Sequence, residues 1–75
     1  MKYIVTETEL YAPDYHHEEE FDNWEEAHKR MLELYHNLAF STNPDAIEKA
    51  FLYKNSALVV INDGNEVEWK ITMEL

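Results

Sequence analysis

His16 and His17, set among Asp14, Glu18, Glu19 and Glu20, come nearest to a metal-binding constellation in this chain. Imidazole beside carboxylate suits zinc or another divalent transition ion. Adjacent histidines point apart in an extended chain, however, so a loop would have to fold back to converge them. The simpler reading is a solvated acidic loop, and no metal or cofactor is expected. His28 and His36 are eight residues apart, not the four that bring two ligands together on a helix. His28 falls on an apolar stripe and reads as a hydrogen-bonded boundary residue.

Other chemistries find less support. Acid–base catalysis needs two carboxylates in a cleft with displaced pKa values, and sixteen acidic residues make chance pairs easy. Ser41 and Ser56 lie in no nucleophile-elbow pattern. Gly64 is the single glycine, so a glycine-rich phosphate loop cannot be built. The absence of cysteine removes thiolate metal sites, thiol catalysis and a disulfide scaffold together. No enzymatic activity is expected.

Charge remains. Six basic residues against sixteen acidic ones give a net charge of −10. Direct binding to nucleic acid or to an anionic membrane is disfavoured, because phosphate would be repelled. A basic protein surface becomes a natural partner, including one that normally holds nucleic acid, although acidity also serves plain solubility. From Glu7 to Glu26 nine acids follow one another with no lysine or arginine between them. The candidate contact surface is therefore Asp14, Tyr15, Glu18, Glu19, Glu20, Asp22, Glu25 and Glu26. Glu66, Glu68 and Glu74 could form a second negative row at a spacing of about 6.7 Å, which Lys70 interrupts.

These residues need elements to hold them. Residues 2–11 read as a strand, and keeping Glu7 and Glu9 in water favours burying Ile4, Thr6, Thr8 and Leu10. Ala12-Pro13-Asp14 ends it, and Tyr15 to Phe21 reads as a linker. Asp22 to Phe40 is an amphipathic helix: Trp24, Ala27, His28, Met31, Leu32, Leu34, Tyr35, Leu38 and Ala39 share one stripe. Asp22 is its expected N-cap, with Glu25 completing the capping-box spacing.

Thr42-Asn43-Pro44-Asp45 signals a second, short helix, ending between Ala50 and Tyr53, although Phe51-Leu52-Tyr53 is also compatible with a strand. Ala57 to Ile61 is a buried strand. Asn62-Asp63-Gly64-Asn65 is a hairpin turn. From Glu66 to Leu75, Val67, Trp69, Ile71, Met73 and Leu75 alternate with polar residues, and both Trp24 and Trp69 are expected in the core.

The expected fold is one α+β domain spanning residues 1–75, with two layers in the order β-α-α-β-β. A three- or four-stranded antiparallel sheet is covered by one long amphipathic helix plus a short second helix. The opening residues, Met1 to Glu7, hold too short an apolar run for a secretory signal, so a soluble cytoplasmic protein is expected. A small core leaves room for a homodimer that covers residual apolar surface.

In size, acidity, lack of cysteine and β-α-β-hairpin layout, the chain resembles small proteins carried by phages and mobile elements. Among these are anti-CRISPR and DNA-mimic inhibitors, which block a nuclease complex by occupying a basic groove. The resemblance implies stoichiometric binding rather than turnover. Alternative readings are a self-associating structural domain and a metal-binding protein acting through His16 and His17.

Overall fold

Alternation in the last ten residues sets the sheet. Val67 and Trp69 are buried on one face of a strand whose other face carries Glu66, Glu68 and Lys70. The computed structural model describes residues 1–41 and 44–75. In chain order the elements are β1 (Lys2–Glu9), β2 (His17–Phe21), α1 (Trp24–Ser41), a 3-10 turn (Pro44–Ala46), β3 (Ile47–Leu52), β4 (Ser56–Ile61) and β5 (Glu66–Glu74). The strands form one antiparallel sheet in the order β2-β1-β5-β4-β3. The class is α+β, with α1 lying over β1, β5 and β4.

Among the described residues, five strands and one α-helix replace the expected three or four strands and two helices. The fifth strand, β2, comes from the stretch that reads as a linker. Its polar sequence carries no burial signal, and it exists because β1 offers a free edge, pairing Tyr3 with Phe21 through to Glu7 with His17. β3 replaces the second helix. Ala46, Ile47, Ala50 and Phe51 have helical spacing, but a tight turn at residues 53–56, closed by Tyr53 N donating to Ser56 O (2.8 Å), folds the segment against β4. Long-range pairing overrides local periodicity here. The helix-start signal at Thr42-Asn43 lies outside the described residues.

The parity of β1 is the reverse of the expected one. Tyr3, Val5, Glu7 and Glu9 share the helix side, and Ile4, Thr6 and Thr8 the open side. The two glutamates tolerate this because donors meet them. Trp69 Nε1 donates to Glu7 Oε1 at 2.6 Å, Tyr15 Oη to Glu7 Oε2 at 2.5 Å, and Asn65 Nδ2 to Glu9 Oε1 at 3.2 Å. Strand alternation alone does not reveal such donors, since they come from distant parts of the chain.

α1 begins later than the sequence suggests. Asn23, not Asp22, is the N-cap: its Oδ1 accepts the Glu26 backbone N–H at 2.9 Å, and its carbonyl accepts from Ala27 N. Glu26 therefore takes the third position of the capping motif. Substituting Asn23 with alanine should cost about 1 kcal/mol in a urea titration, while Asp22→Ala should change the midpoint little.

Ala27, Met31, Tyr35 and Ala39 form the buried seam of α1, against Val5, Ala57, Val59, Val67 and Trp69. Ala27 and Ala57 are fully covered, and small residues at those points let helix and sheet approach closely. Tyr35 meets Trp69 edge-on, with ring centroids 6.4 Å apart, a favoured aromatic geometry. Trp24 is only half-buried. It stacks on His28 at 4.4 Å and donates its Nε1 to Asn55 Oδ1 at 2.8 Å. Every buried side-chain nitrogen or oxygen among the described residues has a hydrogen-bond partner.

The Asp63-Gly64 turn joins β4 to β5 as expected. Gly64 has φ of 96°, a left-handed conformation that costs glycine little. Tyr11 lies against it and donates its hydroxyl to Asp63 O at 2.7 Å. Among the described residues, no helix is long and apolar enough to cross a membrane.

Candidate functional site

β2 turns a run of acids into a surface with two sides. Alternation sends His17, Glu19 and Phe21 toward α1 and leaves Glu18 and Glu20 on the open face of the sheet. Two strand rises separate Glu18 from Glu20, about 6.7 Å. β2 is also an edge strand, with β1 on one flank only.

Glu19 is half-buried and pinned to α1. Arg30 Nε donates to both its oxygens, at 3.1 and 3.0 Å, and Arg30 also reaches Glu33 at 3.3 Å. Partial burial pushes the Glu19 carboxyl up, but hydrogen bonds from Arg30 and His17, with their charges, outweigh it and hold it below the ordinary glutamate value. The hydrogen bond to Glu19 raises the Arg30 guanidinium in turn, against partial burial.

A carboxyl whose folded pKa is depressed lends stability above its unfolded pKa and loses it as pH falls through the folded value. The pair should therefore stabilise the fold above about pH 4.5. Its contribution is expected to fade below that pH. Solvent reaches both partners, so Arg30→Ala should cost no more than about 1 kcal/mol at pH 7. Urea midpoints for the two proteins should draw together as the pH falls below that value.

The other candidates lie on β2 or within a few residues of it along the chain. Glu20 and Asp22 share Lys2, whose ammonium is 3.9 and 3.8 Å away in exposed ion pairs, which solvent screens. Glu25 and Glu26 are exposed in the first turn of α1, where the positive end of the helix dipole favours them. Asp14 is exposed in the turn before β2. Tyr15 presents an exposed ring while its hydroxyl is tied to Glu7. That hydrogen bond, desolvation and the nearby Glu7 and Glu9 charges raise the phenol above 10.0. Asp14, Glu18, Glu20, Asp22, Glu25 and Glu26 are thus all exposed acids in and beside β2, with Glu18 and Glu20 on the open face, Glu25 and Glu26 on α1, and Glu19 paired with Arg30 between them.

The histidines diverge. His16 Nε2 lies 2.7 Å from Glu18 Oε1 and His17 Nε2 3.1 Å from Glu19 Oε2, and those two glutamates point to opposite faces. Among the described residues, no three or more metal-ligating side chains are grouped to hold an ion. A shallow depression lined by Glu7, Glu9, Leu34, Asn37, Leu38, Val67 and Trp69 opens beside α1. Both Glu7 oxygens there are occupied by the Trp69 and Tyr15 donors.

Glu66 and Glu68 share the open face with Glu18 and Glu20, a neighbourhood that only the pairing of β2 with β1 creates. β5 lies on the far side of β1 from β2, which places its acids roughly 10 Å away across two interstrand gaps. Lys70 reaches Glu68 at 3.5 Å and dilutes this second row. Compared with known protein families, curated proteins and solved structures, the chain matches none.

Proposed function

We propose that this chain is a non-enzymatic, cytoplasmic binding module whose acidic β2 edge docks on a basic surface of a partner protein. The surface is of the kind that otherwise holds nucleic acid, so the module acts as a stoichiometric inhibitor of the phage or mobile-element type. The observation that supports the reading best is the β2 edge. Glu18 and Glu20 project together from an edge strand, and Asp14, Asp22, Glu25 and Glu26 are exposed acids in the segments that flank it. A chain of net charge −10 would be steered to such a partner over a distance, with the rate falling as salt screens the field. Glu19 holds β2 in place rather than touching the partner.

The test is capture from an extract of the cells that carry the chain, at low and at high ionic strength. Wild-type protein should retain a basic protein at low salt and release it at high salt. Retention of no basic protein at low salt would refute the reading.

A further inference from the structure

We infer that β3 pairs with β3 of a second copy, joining two sheets across a two-fold axis at Phe51. The inference stands on the opposite edge of the sheet from β2 and does not rest on the proposed function.

β3 is the other edge strand, and most of it is exposed on both faces. Phe51, Leu52 and Tyr53 are 39%, 46% and 58% exposed, and the Phe51 and Tyr53 rings lie parallel at 6.5 Å. An exposed apolar edge invites pairing with another strand. β2 is guarded against this by three consecutive glutamates, whereas the guard on β3, a register shift between Ile47 and Lys49, leaves Ala50 to Leu52 open.

The backbone fixes which groups are available. Tyr53 N donates to Ser56 O, so by alternation Phe51 and Lys49 also direct their backbone groups toward β4. Ala50 and Leu52 direct theirs outward. With Phe51 opposite its own copy, Ala50 falls opposite Leu52, and these two can exchange both backbone hydrogen bonds. Phe51 then occupies the closer, non-hydrogen-bonded position, where cross-strand aromatic pairs meet. The same register sets Lys49 opposite Tyr53 and Glu48 opposite Lys54. Two opposite-charge pairs thus close the ends. Moving the axis to Ala50 would place Glu48 opposite Leu52 and lose both pairs.

Charge also selects a second copy as the occupant. Two chains of −10 repel, so they can meet only where local charge is low. Residues 46–61 carry Glu48 against Lys49 and Lys54, a balance of −1 + 2 = +1. The dimer would be a ten-stranded sheet with its two β2 edges at the far ends, about 40 Å apart (nine gaps). Pairing of one short edge strand buries less than the standard ~1,600 Å², so association should be weak.

Sedimentation equilibrium from 20 µM to 1 mM tests this. The mass should rise from 9.0 kDa toward twice that value. Added salt up to ~0.15 M should strengthen the dimer, because it screens the mutual repulsion. That salt response is opposite in sign to the one expected for a basic partner. Ala50→Pro deletes an outward N–H that the monomer does not use, and should raise the Kd at least tenfold with an unchanged circular dichroism spectrum. If that variant fails to fold, Phe51→Glu should give the same loss by setting like charges across the axis. Because the chain has no cysteine, Phe51→Cys should form one disulfide-linked dimer under mild oxidation, at least ten times faster than Glu18→Cys on the other edge. A wild-type chain still at 9.0 kDa at 1 mM, a dimer indifferent to the folded edge variant, or equal cross-linking at both edges would overturn the inference.

Discussion

Trp69→Ala is expected to remove a large share of the fold's stability. Trp69 is 1% exposed, meets Tyr35 edge-on and gives its indole N–H to Glu7. Truncating a buried tryptophan typically costs about 3–5 kcal/mol. A chain of this length has only about 4–11 kcal/mol in total. Loss of the indole also leaves Glu7 on the helix side of the sheet with Tyr15 as its one remaining donor. Trp69→Phe should be milder, since it keeps a ring against Tyr35 and forfeits chiefly the hydrogen bond, about 1–3 kcal/mol. Urea titration followed by far-ultraviolet circular dichroism measures both. A midpoint for Trp69→Ala within ~0.5 kcal/mol of wild type would mean that this residue does not centre the core.

The second large effect is on binding. Replacing Glu18 and Glu20 together by lysine changes the net charge from −10 to −10 + 4 = −6 and reverses the sign of the β2 open face. Both side chains are exposed, so stability should move by no more than ~0.5 kcal/mol. The association rate with the captured partner should fall at least tenfold at low salt, the scale on which steering operates. Glu19→Lys is the informative contrast. It should act mainly on stability, by setting a cation against Arg30, and stopped-flow association beside a urea titration separates the two effects.

Much of the fold is legible in the sequence, and what is illegible has a physical cause. β5 and the Asp63-Gly64 turn can be read directly because strict alternation and a glycine with positive φ leave local marks. The α1 seam can be read from its period. β2 cannot, because a His-Glu-Glu-Glu-Phe strand is made by the edge of β1 and by the Arg30–Glu19 pair, both distant in sequence. β3 is obscured by helical spacing that pairing with β4 overrides. The parity of β1 depends on where Trp69, Tyr15 and Asn65 place their donors, and no pattern within residues 2–9 carries that information. For the acids in and beside β2, the residues are legible but their division is not. Alternation along an unforeseen strand turns Glu19 inward and its neighbours outward.

If the exposed acids of β2 recognise a positive surface, reversing their charge must abolish capture. The most direct test is parallel capture from one extract by the wild-type chain and by the Glu18→Lys/Glu20→Lys chain, at 50 mM and 500 mM salt. A basic protein should be held by the wild type at the lower salt only, and by the double variant at neither. Equal retention by both chains, or retention that ignores salt, would contradict that recognition.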